Sequence, residues 1–184
     1  MRRMNLPALL ALLALAACVL LANLFIANVG ACVAPGGPCL IPVWPWPLLM
    51  APSGVLWAGA ALFARDTLHE AGGRAWVVAG IAIGAALSWW LAAPALALAS
   101  GVAFGLSEFA DYAVYSPLHQ RSRPGAVLAS GLVGSIVDSA VFLWLALGSL
   151  DFLAGQVVGK SLITALCAGL LWLALRRRPA PVAA

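Results

Sequence analysis

Charge is what this chain lacks. Only 9% of its 184 residues are Asp, Glu, Lys or Arg, against about 25% in an average soluble domain. With 64% hydrophobic residues and a mean hydropathy of +1.03, no soluble core of this size could hide the apolar surface. The other available solvent is lipid, and the chain reads as an integral membrane protein. Its four cysteines include no C-x-x-C pair, so the usual zinc and redox spacings are missing. A G-x-x-x-x-G-K-[ST] loop is also missing, which excludes ATP hydrolysis by the chain itself through that motif. There is no paired metal-ligand set, no Ser–His couple and no long cytoplasmic loop for catalysis. The reading is therefore a protein that is not an enzyme and uses no metal or cofactor. Its nine arginines and one lysine are spread between apolar segments rather than gathered into a patch, which argues against a nucleic-acid partner.

Six apolar segments are present, near 6–28, 48–65, 75–92, 95–116, 125–148 and 152–175. Each is close to the roughly 17–25 residues a helix needs to cross a bilayer. Helix is the form expected of each, because lipid offers open strand edges no hydrogen-bond partner. The expected fold is all-α: one transmembrane domain over 1–184, a bundle of six transmembrane helices. Orientation follows from the arginines. Arg2 and Arg3 precede the first segment, Arg65 and Arg74 flank the second connection, Arg121 and Arg123 lie in the fourth, and Arg176, Arg177 and Arg178 follow the sixth. The first, third and fifth connections carry no Lys or Arg. This alternation predicts cytoplasmic termini and a multi-pass protein of the cell's inner membrane.

Several local features have ordinary readings. Leu15-Ala16-Ala17-Cys18 after two arginines mimics a lipoprotein signal, but the chain stays apolar to Ala27, and the segment is read as an uncut helix. Cys18 and Cys167 lie inside apolar segments as small hydrophobes. Cys32 and Cys39 share the first connection, where a disulfide fits if that connection faces outward. Trp44 and Trp46 in the same connection suit the headgroup interface. Gly80/Gly84, Gly101/Gly105, Gly155/Gly159 and Ser130/Gly134 are small-x-x-x-small pairs, which let helices approach closely in lipid.

Against this apolar background the buried charges stand out. An ionised group near a bilayer centre costs at least roughly 2.5–3.5 kcal/mol, and such groups face bundle interiors or wet cavities. Glu108 and Asp111 share a face of the fourth segment at i, i+3, with Tyr115 four residues further on. Asp138 and Ser139 sit near the middle of the fifth. Gln156 and Lys160 are i, i+4 on the sixth. Three polar stripes can converge in a compact bundle on one substrate site. Lys160 is expected to pair with Asp138 or Glu108, leaving acid over for a donor-rich ligand. A second cluster, Arg65, Asp66, His69 and Glu70, ends the second segment and reads as a solvated turn, with Asp66 and Glu70 as gate or coupling candidates.

These stretches resemble a known family. Residues 64–74, Ala-Arg-Asp-Thr-Leu-His-Glu-Ala-Gly-Gly-Arg, resemble its acidic end of helix two. Ser107-Glu108-Phe109-Ala110-Asp111-Tyr112-Ala113-Val114-Tyr115 resembles its helix-four signature. Val137-Asp138-Ser139-Ala140-Val141-Phe142 resembles that of helix five, and Lys160 falls where a helix-six lysine is expected. Ala51-Pro52-Ser53-Gly54 is similar to the family's approach to helix two. The chain is thereby identified as a member of the VUT family, the queuosine precursor transporters. The resemblance spans about 48–165 and implies import of a 7-deazaguanine base such as 7-cyano-7-deazaguanine. It departs in its brief connections, in His69 and in the doubled Gly72-Gly73.

The chemistry suits such a ligand. A guanine-like base offers two adjacent N–H donors to one carboxylate, for which Glu108 and Asp138 are the candidates. Leaving that carboxylate unpaired in a dry site is costly, which makes the contact selective. Lys160 or Gln156 would donate to the ring carbonyl, and Phe109, Tyr112, Tyr115 or Trp57 would stack. The expected partners are a small purine-like substrate and the lipid bilayer, with homo-oligomerisation left open. The alternative function is a substrate-binding subunit of an energy-coupling-factor importer that borrows an ATPase.

Overall fold

Asn5 opens the first helix. Its side-chain oxygen accepts the Ala8 N–H at 2.9 Å, and Pro7 occupies the first turn, where a missing N–H costs nothing. In the computed structural model, which describes residues 5–33, 38–46, 48–91, 94–118 and 123–176, this helix is α1, Leu6–Asn28. It is followed by α2 Val55–Gly72, α3 Arg74–Leu91, α4 Pro94–Leu118, α5 Arg123–Leu147 and α6 Leu153–Arg176. Arg2, Arg3, Arg121, Arg177 and Arg178, which carry part of the orientation argument, lie outside the described residues.

The second segment needs correction. It was expected as a helix over 48–65, but Leu48–Pro52 is a strand, and α2 runs seven residues past the expected end. Hydropathy cannot separate strand from helix in a short apolar run. Here Pro45 and Pro52 decide, since proline forces the residue before it into extended backbone. At the other end the charged cluster of Arg65, Asp66, His69 and Glu70 is helical and not a turn. The helix stops only at Gly73, whose positive φ of 85° lets its N–H reach the His69 carbonyl.

The first connection also holds more than a loop. β1 Ala31–Cys32, β2 Cys39–Pro45 and β3 Leu48–Pro52 form an antiparallel sheet in the order β1-β2-β3. Cys32 and Cys39 are register partners joined by a disulfide. The sheet caps the bundle end where α1 finishes and α2 begins, packing on α1 and α6. Ser53 ties it down: its N–H donates to Cys39 and its hydroxyl donates to the Phe25 carbonyl, at 2.8 and 2.6 Å.

The helices form a ring. α1 packs on α2, α2 on α6, α6 on α5, α5 on α4, α4 on α3, and α3 back on α1, with α3 also packing on α2 and with α4 and α5 the most extensive pair. The surface is apolar: Trp90 is 89% exposed and Phe109 73%, with many leucines beside them. Inside are Ser88, Ser107, Ser139, Gln156 and Lys160. This inverts a water-soluble protein and suits lipid as solvent. By length and composition, Leu6–Asn28 and Ala129–Leu147 are long and apolar enough to cross a membrane, and Arg74–Trp90 and Leu153–Cys167 are shorter apolar stretches.

Glycines set the closest approaches. A Cβ on Gly155 would lie 2.1 Å from the Met50 carbonyl oxygen, and one on Gly80 would lie 2.9 Å from Leu15 Cδ2. Gly101 and Gly105 differ, since a Cβ on either meets nothing within 4 Å. That pair does not serve helix packing as its spacing suggested. Gly155→Ala should therefore destabilise the folded protein by about 1–3 kcal/mol through overpacking. Gly105→Ala should be neutral or stabilising by up to about 1 kcal/mol through helix propensity. Thermal unfolding of both variants in detergent checks the contrast.

Candidate substrate-binding site

Inside the ring is a cavity of about 190 Å³, lined from all six helices and from Pro52 of β3. Drug-sized ligand pockets span roughly 300–1,000 Å³, so this volume favours a compact ligand. Its polar wall comes from α5 and α6. The Lys160 ammonium donates to Asp138 Oδ2 and, at 2.9 Å, to Ser139 Oγ. The lysine side chain is 3% exposed and the aspartate 18%. Gln156 lies one turn before Lys160 on the same face of α6 and also lines the cavity.

Local sequence explains the placement. Gly59 lets α2 press against α6 at the lysine itself: a Cβ there would lie 2.8 Å from the Lys160 carbonyl oxygen. Thr164 fastens the same contact by donating to the Gly59 carbonyl at 3.0 Å. The ammonium is thereby directed towards the neighbouring helix α5. An ion pair in such a place is stable only if its remaining valences are met, and the Ser139 hydroxyl meets one.

Two other polar atoms at the cavity are unmet. Trp57 Nε1, a donor, and Gln156 Oε1, an acceptor, are buried without a hydrogen-bond partner within the protein, and both residues line the cavity. Each such group costs about 1–3 kcal/mol of desolvation, and both atoms are buried in the packing beside the cavity and do not open onto it. Trp57 is held by edge-on contact with Phe25, ring centres 5.4 Å apart. On the opposite wall the Asn23 amide donates to Ser88 Oγ at 2.9 Å, joining α1 to α3.

The structure thus brings Asp138, Ser139, Gln156 and Lys160 together. The acids of α4 stand elsewhere. Glu108 is 37% exposed and ion-paired with Arg65, off the cavity wall. Asp111 packs at the seam with α5, where its Oδ1 lies 3.8 Å from the Cβ position of Gly134. Tyr115 is a further turn along α4 and only partly buried. Asp66 accepts from Arg65 Nε at 2.9 Å, and Glu70 is exposed near the end of α2. Among the stacking candidates Trp57 alone faces the cavity, while Phe109 and Tyr112 are 73% and 51% exposed. Arg65, Asn23 and Ser88 escaped sequence reasoning. The signal for Asn23 was available, as a lone amide deep in an apolar segment. Arg65 was visible as a marker of orientation and as a member of the charged cluster ending the second segment, but not as the partner of Glu108.

A lipid-compatible exterior around a partly polar hollow defines a membrane protein built to hold a small molecule. Residues 75–174 match the family model described as "Putative vitamin uptake transporter". That stretch is more than half of the chain, and the protein belongs to this family, the VUT transporters. No curated protein and no solved structure matches the chain.

Removing one partner of the buried pair should be costly. Lys160→Met leaves Asp138 facing an apolar wall and should lower stability by up to about 3 kcal/mol. Adding Asp138→Leu should recover part of that loss. Thermal unfolding of the single and double variants in detergent measures the difference.

Proposed function

We propose that this protein imports a queuosine precursor, a base of the 7-deazaguanine type, across the cytoplasmic membrane. The carrying observation is the polar wall of the cavity. Asp138 offers a carboxylate for two adjacent N–H donors, and Lys160 beside it offers a donor for the neighbouring ring carbonyl. Trp57 and Gln156 line the same cavity, and each carries a buried polar atom without a partner within the protein. A planar base with donors and acceptors along its edges would meet Asp138 and Lys160 directly, and would meet Trp57 and Gln156 after their side chains turn towards the cavity. It would bind in competition with the Asp138–Lys160 pair, exchanging one set of charge-assisted bonds for another. Of the two acids considered for the bidentate contact, Asp138 is the one at the cavity, and the role falls to it.

The protein would cross the membrane six times with both termini in the cytoplasm. Two observations support that orientation. The Cys32–Cys39 disulfide lies at the sheet end of the bundle, as expected for an oxidising exterior. Arg65 and Arg74 lie towards the opposite end, where the Asn5 amide donates to the Ala71 carbonyl and so places the start of α1.

The test is complementation in a strain lacking both precursor synthesis and its own importer, scored by queuosine in tRNA. The wild-type gene should restore queuosine. Asp138→Asn keeps an acceptor for Lys160, and should insert normally while losing at least about 90% of uptake, a change of roughly 1.4 kcal/mol or more in binding terms. Retention of uptake by Asp138→Asn and by Lys160→Met would refute the site. Uptake that appears only when energy-coupling-factor ATPase subunits are co-expressed would replace the self-sufficient carrier with the borrowed-ATPase arrangement.

A further inference from the structure

The ring order places α2 and α4 opposite each other: α1, α2, α6, α5, α4, α3. A bond between them joins helices that are not neighbours in the ring, although α3 packs on both. One such bond exists. Arg65 on α2 donates to Glu108 on α4, and its guanidinium also lies 5.7 Å from the centre of the Phe104 ring. The height of this bond is fixed by helical spacing. Ala61 and Phe104 line the cavity, and Arg65 and Glu108 follow each of them by four residues, one turn further from the sheet. The bond therefore underlies the cavity floor.

The arrangement of contacts says what this bond holds. α4 and α5 form the most extensive pair and meet the other helices chiefly at α3 and α6. Among the described residues, the side-chain ion pairs between helices are Arg65–Glu108 and Lys160–Asp138. Both join this hairpin to the remaining helices. On the far side of the floor, Ala8, Ala11, Leu68 and Val77 form a packed core of α1, α2 and α3, and Phe104 rests against it. Ion pairs thus join the hairpin to the other helices at two levels, once beside the cavity and once beneath it, and below the lower pair the Arg74 guanidinium of α3 lies 4.9 Å from the centre of the Tyr112 ring of α4.

The geometry points to the Arg65–Glu108 pair as a latch that closes the cavity at the end opposite the sheet, released when the α4–α5 hairpin moves away from α2. The lower pair is suited to opening. Glu108 is more than a third exposed and Arg65 already shares its guanidinium with Asp66 at 2.5 Å. This pair is the less enclosed of the two, and an ion pair is held less firmly the less it is enclosed. The upper pair is deeper, and a ligand that occupies Asp138 and Lys160 loosens the fastening at its own level. The latch rests on the transport reading but not on any particular substrate.

Cys18 provides the probe. It is a free thiol that lines the cavity and is 8% exposed. In a Cys167→Ser background, its labelling by a charged, membrane-impermeant methanethiosulfonate would be followed in membrane vesicles of both orientations. Wild-type protein should label slowly. Arg65→Gln and Glu108→Gln should each raise the rate about tenfold, the change given by about 1.4 kcal/mol, and only from the face carrying Arg65. The exchanged double variant, Arg65→Glu with Glu108→Arg, should return the rate towards wild type. Unchanged labelling in both single variants would overturn the latch. So would an equal rise from both faces that the exchange does not reverse, since that marks a general brace. Labelling needs no substrate, so failure of precursor uptake would leave this result readable.

Discussion

The Lys160–Asp138 ion pair organises the interior of this protein. The chain has only one lysine, and it is placed almost wholly out of solvent. Such a group is tolerable only with an anion and further hydrogen bonds around it. Those needs fix α6 against α5 through Asp138 and Ser139. They also call for a close approach of α2 to α6, which Gly59 permits. The cavity is what remains between these commitments. Its walls are mostly aliphatic, so the few polar atoms that reach it act in surroundings where each counts for more than in water.

The two ends of the bundle beside the hollow are built differently. At one end a small, proline-bearing sheet is fastened by a disulfide and by Ser53. Its inner strand lies so close to α6 that only glycine fits at position 155. At the other end the closure is a packed core on one side and a half-exposed ion pair on the other. A covalently braced cap and an electrostatic one differ in how readily they yield. The asymmetry matches a protein whose two faces meet different redox conditions.

Much of the helical layout was legible, and the reason is physical. Lipid allows few solutions for a backbone, so a long apolar run has little freedom to be anything but helix. Five helices accordingly start and end within two residues of the apolar segments. The second failed where proline and a short run overrode hydropathy. The pairing of Lys160 was narrowed to two acids by counting charges, but the choice between them was not accessible. Glu108 and Asp138 look alike in sequence, each an acid in the middle of an apolar segment. The difference lies in Arg65, which takes Glu108 and whose reach depends on α2 standing opposite α4.

Sequence by itself determined the solvent, the helical character and the short roster of polar residues that must turn inward. Composition and one-dimensional spacing carry that information, because the cost of exposing charge to lipid is paid residue by residue. Tertiary structure alone decided which of those residues share a cavity, which form a bond across the bundle, and where a sheet replaces a helix. Those outcomes depend on the order of helices around the ring and on backbone separations set by glycine, and neither is written in any single segment.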